Sequence, residues 1–217
     1  MRIAFFGGSF DPPHCGHLAI AHAALAALRL DRVLFVPVGS QPLKPGGAAA
    51  SFEDRAAMVA LAIEGEPAFE MLLVDTPRET PNYTIDSLAI LRDSLPPETE
   101  IFLLIGADAL RSLSYWHRAA EIPFAAQLIV ASRPAEDLSD LPALMPASIA
   151  VEATDDPHRF LLVNKQSENS SLTILPDLNY EISATQIRDQ VQELRADSTP
   201  LLVPSVFRFI REHHLYE

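Results

Sequence analysis

The chain has 217 residues, 48% of them hydrophobic and 21% charged. That is material for one large domain with a sizeable core, and it excludes disordered, collagen-like and disulfide-stapled classes. The balance of 16 Lys and Arg against 29 Asp and Glu leaves a charge of −13, which argues against nucleic acid as a partner, because such binding runs on phosphate neutralisation by Lys and Arg.

Short apolar runs alternate with stretches of helical period. Arg2 to Phe6 reads as a strand, followed by a Gly-Pro loop and a helix from about Gly16 to Arg29, with Leu18, Ala21, Leu25 and Leu28 at helical spacing. Arg32 to Val38 is a second strand, and a Pro- and Gly-rich loop follows it. Ser51 is placed to cap a helix carrying Met58, Leu61 and Ala62. Met71 to Val74 reads as a third strand. Pro77 and Pro81 break the chain before a helix near Thr84, and Ile101 to Ile105 and Leu128 to Ala131 are a fourth and a fifth strand. The Pro- and Asp-rich segment Arg133 to His158 reads as a surface excursion. Phe160 to Val163 and Leu172 to Leu175 add strands, and two helices begin near Ala184 and Ser205. Continuous apolar strands alternating with helices predict an α/β fold: a Rossmann-like, doubly wound, mostly parallel sheet with C-terminal helices.

No run reaches the roughly 18 apolar residues that a bilayer span requires. Leu18 to Leu30 is interrupted by His22 and Arg29, and Met1 to Phe6 is too short for a secretory signal. Cys15 is the one cysteine, so no internal disulfide can form. A cytoplasmic protein is the expectation, with no membrane partner.

Two segments carry chemistry. Gly7-Gly8-Ser9-Phe10-Asp11-Pro12-Pro13-His14-Cys15-Gly16-His17 joins the first strand to the first helix, where ligands sit in a doubly wound sheet. The glycines let backbone N–H groups approach a ligand. His14 and His17, three apart at a helix N-terminus, can turn two imidazoles toward one phosphoryl group. Metal ligation by the two histidines is the rival reading, weak because no partner ligand shares their face. The GxGxxG dinucleotide fingerprint is absent. In the second segment, Ile182 to Arg188, Ser183 and Gln186 form a capping box. Thr185 and Arg188 share one face of the first turn, so Ser183, Thr185, Arg188 and free N–H groups together make an anion site.

The first segment resembles the GxFxPxHxGH signature of the nucleotidyltransferase superfamily, with Gly8, Phe10, Pro12, His14, Gly16 and His17 in the defining positions. The second resembles its ISSTxxR signature, with Ala184 in place of a second serine. Between them lie Pro42-Leu43-Lys44-Pro45, Asn82 to Leu88, Gly106-Ala107-Asp108, Tyr115-Trp116 and Ser132-Arg133-Pro134, in the order found in bacterial nicotinate-nucleotide adenylyltransferases. The likeness covers essentially the whole chain and implies one nucleotidyltransferase domain over residues 1–217.

That resemblance implies transfer of the adenylyl group of ATP to nicotinate mononucleotide, giving deamido-NAD and pyrophosphate. It implies catalytic roles for His14, His17 and Arg188. ATP would be bound by Gly8, Ser9, Phe10, Gly106, Asp108, Ser132, Arg133, Ser183 and Thr185, and the nicotinate nucleotide by Lys44, Thr84 and Trp116. Mg²⁺ would be held mainly through the ATP phosphates, with no dedicated protein cage. No oligomeric state is implied. Two alternatives stay open at this point: another adenylyltransferase on the same scaffold, such as a phosphopantetheine enzyme, and a nucleotide-binding module without turnover.

Overall fold

The first apolar run forms β1 (Arg2–Gly8), and the chain then returns along α1 (Cys15–Leu28) to β2 (Arg32–Pro37), α2 (Phe52–Ala62) and β3 (Phe69–Met71). The computed structural model describes residues 1–39, 47–132, 138, 140–175, 183–193 and 199–217. From β3 the chain passes through α3 (Thr84–Asp93) to β4 (Glu100–Gly106), on the other side of β1. Then come α4 (Ala107–Ser112), a 3₁₀ turn at Leu113–Tyr115, α5 (Ile122–Ala125) and β5 (Gln127–Ala131). The short α6 (Leu141–Leu144), β6 (Ala150–Ala153), β7 (Arg159–Val163) and β8 (Asn169–Leu175) follow, and α7 (Ala184–Glu193) and α8 (Pro204–Glu212) close the chain.

The strands form one sheet in the order β3-β2-β1-β4-β5-β8-β7-β6. Pairing is parallel from β3 through β8 and antiparallel in β8·β7 and β7·β6. The fold is therefore the Rossmann-like, mostly parallel α/β sheet with C-terminal helices that the pattern predicts. Alternate residues of the central strands feed opposite faces. Ile3, Phe5, Leu103 and Ile105 face α3 to α6, while Ala4, Phe6, Phe102 and Leu104 face α1. A third cluster, off the sheet, joins α2, α7 and α8 through Met58, Ile187, Val206 and Ile210. The chain runs to one side of β1 for β2 and β3 and to the other for β4. This reversal opens a crevice at the carboxyl ends of β1 and β4, where open α/β sheets take ligands.

Two expectations are corrected. The third strand is Phe69–Met71, not Met71 to Val74. Leu72 N donates to Phe35 O at 2.9 Å, and the next rung of a parallel ladder would be donated by residue 37, which is a proline without an N–H. The segment from Arg133 to His158 is not simply a surface excursion. Leu138, Leu141, Met145 and Ile149 enter the core beneath α4, and residues 150–153 pair with β7. The expected helix α1 is present, and its fully buried line is Gly16, Ala21 and Ala24, with Leu18, Leu25 and Leu28 half-buried and packed around it. Small residues let this helix lie close on the sheet.

Candidate active site

A cleft of about 880 Å³ lies over the carboxyl ends of β1, β4 and β5. Its floor is β1 and the loop after it. Phe10 carries a left-handed φ of 47°, a conformation unfavourable for a bulky side chain and found where surrounding packing imposes it. Its ring is 2% exposed, wedged against Phe6 and Phe35 and edge-on to His17 at 5.0 Å. Arg55, buried on α2, donates through Nη1 to the Ser9 carbonyl at 2.6 Å and ties the loop down from behind.

His14 is the N-cap of α1 and His17 its third residue. Their rings stack at 3.7 Å. The His14 backbone N–H donates to His17 Nδ1 at 3.1 Å. An N–H can only donate, so Nδ1 is the acceptor and the ring proton of neutral His17 sits on Nε2. Burial, with His14 adding to it, holds the His17 pKa well below its usual value. His17 is therefore a neutral imidazole with a defined donor.

Opposite lies the start of α7. The Ser183–Gln186 capping box is formed, with Gln186 N donating to Ser183 Oγ at 3.1 Å and Ser183 N to Gln186 Oε1 at 3.3 Å. Arg188 Nη2 donates to Thr185 Oγ1 at 3.2 Å and Nη1 to the Asp11 carbonyl at 2.8 Å. The guanidinium thus spans from α7 to the β1 loop. One guanidinium, a neutral His17 and a second imidazole stacked on it make a set of donors that suits a charged phosphoryl group.

The other end of the cleft is built by α3 and the 3₁₀ turn. Tyr83 is the N-cap of α3 and offers no side-chain cap. Its ring stacks on His117 at 4.2 Å, and Trp116 Nε1 donates to Ser112 Oγ at 3.2 Å. Asn82 is 5% exposed, and its Nδ2 donates to the Thr76 carbonyl at 3.2 Å. Its Oδ1 is buried at the cleft wall without a partner among the described residues. Asp75, also at the wall, takes a short hydrogen bond from Ser87, and burial pushes its carboxyl above the usual range.

Residues 5–190 match the cytidylyltransferase-like family. A protein of Trichlorobacter lovleyi named "Probable nicotinate-nucleotide adenylyltransferase" is 36% identical, covering 100% of both chains. One of Roseiflexus sp. with the same name is 38% identical over 99% of this chain and 97% of its own. The chain belongs to the nicotinate-nucleotide adenylyltransferase family. The fold agrees. The Plasmodium falciparum nicotinic acid mononucleotide adenylyltransferase complexed with NaAD superposes with a TM-score of 0.69 at 16% identity, over 99% of this chain and 97% of that one.

Of the residues that the family signatures single out, His14, His17, Arg188, Gly8, Ser9, Phe10, Gly106, Asp108, Ser132, Ser183, Thr185, Thr84 and Trp116 all border the one cleft. They differ in how they do so. Phe10 stands behind the loop as packing, Ser132 is buried at the end of β5, and Asp108 is largely exposed beside Arg111 at 3.4 Å. Trp116 is half-buried, packed on the core on one side and bordering the cleft on the other. Lys44 and Arg133 lie outside the described residues. Asp11, Arg55, Asp75, Asn82 and Tyr216 were not singled out by spacing. Two of them lie in segments the sequence marks, Asp11 inside the first motif and Asn82 at the head of the Asn82 to Leu88 segment. Among the described residues, no group of three His, Cys, Asp or Glu side chains is gathered to hold a metal ion.

Proposed function

We propose that the cleft holds ATP and nicotinate mononucleotide together and transfers the adenylyl group between them, giving deamido-NAD and pyrophosphate. The observation that carries this reading is the set of donors facing one another across the β1 switch point: neutral His17 with its proton on Nε2, stacked His14, and Arg188 with Thr185 at the N-terminus of α7. In the reaction an ionised phosphate oxygen of the mononucleotide attacks the α-phosphorus. The bond to the bridging oxygen breaks, and pyrophosphate leaves with the electron pair. The nucleophile is already ionised, so no general base is needed. The chain supplies position and charge stabilisation instead. His14 and His17 donate to the α-phosphate as negative charge builds there. Ser183, Thr185, Arg188 and the α7 amides take the departing phosphates.

Gly8, Ser9 and Phe10 shape the phosphate path, Gly106 and Asp108 meet the adenosine, and Ser132 and Arg133 border the adenine. Gly106 favours a ligand there: its φ of −79° suits any residue and a Cβ on it would meet nothing within 4 Å among the described residues, so neither conformation nor the described packing asks for glycine. The family generally uses a divalent metal through nucleotide phosphates, and Mg²⁺ enters with ATP. The donor set of the cleft fits that arrangement, since the buried carboxylates near it are already engaged: Asp11 by backbone amides and Asp75 by Ser87.

The acceptor's carboxylate is read by the open N-terminus of α3 at Thr84, where amides and the helix dipole favour an anion, and Trp116 orients the pyridine ring. Lys44 adds positive charge toward the nucleotides. No described helix is long and apolar enough to cross a membrane, and a cytoplasmic, single-domain enzyme over residues 1–217 completes the proposal. Pyrophosphate release from ATP tests it with nicotinate mononucleotide, nicotinamide mononucleotide and phosphopantetheine as acceptors. Nicotinate mononucleotide should be strongly preferred. Preference for phosphopantetheine would overturn the substrate, and ATP binding without turnover on any acceptor would reduce the chain to a binding module.

A further inference from the structure

The carboxylate of Asp11 is a junction that the phosphate motifs leave unexplained. It is 5% exposed and collects donors from distant segments. Ala49 N donates to Oδ2 at 2.7 Å, Ala50 N to Oδ1 at 3.1 Å, and the Tyr216 hydroxyl to Oδ1 at 2.8 Å. Arg188 Nη1 lies 3.8 Å from Oδ2. That is close enough for attraction and too long for a hydrogen bond. The guanidinium instead spends its bonds on the Asp11 carbonyl and Thr185.

Tyr216 reaches this point from 205 residues away in sequence. The chain after α8 gets there through two non-glycine residues in the left-handed region, His214 at φ 52° and Tyr216 at φ 67°. Such conformations persist where the surrounding structure over-determines them. Here the ring packs on the α2–α7–α8 cluster and the hydroxyl bonds to Asp11. Burial and the Asp11 charge raise the phenol's pKa, so the group keeps its proton and remains a donor.

We propose that Tyr216 is a positioning residue for the anion site, holding the Asp11 carboxylate so that Arg188 stays available to phosphate. A carboxylate and a guanidinium at this distance readily close into a forked pair. Three donors from elsewhere occupy the carboxylate and fix its plane. Removing the Tyr216 donor leaves Oδ1 short of a bond, and among the described residues Arg188 is the cation that lies within 4 Å of this carboxylate. The guanidinium would then be drawn from the phosphates to Asp11. The proposal rests on the reading of Arg188 as a ligand of the ATP phosphates.

Steady-state kinetics and melting curves of Tyr216→Phe, Arg188→Ala and the double variant test it. Tyr216→Phe keeps the ring and should stay folded. Its apparent KM for ATP should rise about tenfold, on the scale of one hydrogen bond to a charged group, with the KM for nicotinate mononucleotide unchanged. In the Arg188→Ala background the same substitution should add almost nothing, because its route of action is gone. Three results overturn the proposal with the anion-site reading intact: an unchanged ATP KM in Tyr216→Phe, equal losses for both substrates, or the same loss in both backgrounds. A Tyr216→Phe chain that does not fold overturns it as well, since the hydroxyl then serves the fold. If Arg188→Ala alone has wild-type kinetics, the anion-site reading fails and takes the proposal with it.

Discussion

His17 shows how much of a residue's chemistry is set by its backbone neighbour. The His14 N–H fixes which nitrogen is bare, and burial keeps the ring neutral. His17→Ala should lower kcat by on the order of a hundredfold while ATP affinity, measured without acceptor, changes far less. Near-normal kcat would return His17 to a packing role. The pH consequence follows from linkage. The folded pKa lies below the unfolded value of about 6.5, so the unfolded chain binds the extra proton first. The stability this group contributes is complete above about pH 6.5 and is lost as pH falls through the folded pKa. Denaturant melts at pH 7.5 and pH 5.5 should differ less in His17→Gln than in the wild type. At the far end of the cleft, Trp116→Ala should weaken the acceptor by roughly 1–3 kcal/mol, the range for losing a stacking platform. Unchanged acceptor kinetics would show the tryptophan to be core alone. Gly106→Ala makes the opposite case: a melting temperature near that of the wild type with a raised KM for ATP, because the added methyl meets no described residue and faces the cleft.

At the scale of elements, the loop after β2 crosses the segment after β3 with no room between them. Gly39 N donates to Asp75 O at 2.7 Å, and a Cβ at Gly39 would come within 2.5 Å of that oxygen and 2.6 Å of Pro77 N. Gly39→Ala should cost on the order of 1–3 kcal/mol of stability as overpacking and should displace Asp75 and Asn82 together, which acceptor KM would register. A variant with unchanged melting and acceptor KM would show the crossing to be soft. The parallel core was legible because its strands are unbroken apolar runs, and the two signature segments that border the cleft were legible because both sit at helix starts. The third strand was misplaced because its end is decided by Pro37 on a neighbouring strand. Leu141, Met145 and Ile149 were hidden in a Pro- and Asp-rich segment whose composition reads as surface. No pattern assigned a role to Asp75, Asn82 or Tyr216, since each matters through a partner that only tertiary structure brings near.

For the whole molecule, the cleft is divided between two packing units. Its floor and the end built by α3 and the 3₁₀ turn pack on the sheet, whereas Arg188, Thr185 and Ser183 belong to the start of α7, which packs with α2 and α8 in the separate third cluster. Helical clusters beside a sheet core can open on their own, below the free energy of global unfolding. A nucleotide that touches both units binds only while the cluster is docked, so ATP should act on amide hydrogen exchange in α7 and α8 by mass action. At 100 times its Kd, ATP should slow exchange there by about a hundredfold, equivalent to roughly 2.7 kcal/mol, wherever exchange proceeds through undocking. Amides of β1 and β4 exchanging by global opening should slow by the same factor from a far lower rate. Nicotinate mononucleotide alone, seated on the sheet, should protect α3 and leave α7 as it was. Met58→Ala, which loosens the cluster at a buried residue outside the cleft lining, should start from faster exchange in α7 and α8 and respond to ATP by the same factor. Nucleotide occupancy would then be readable, residue by residue, as a map of which half of the molecule is breathing.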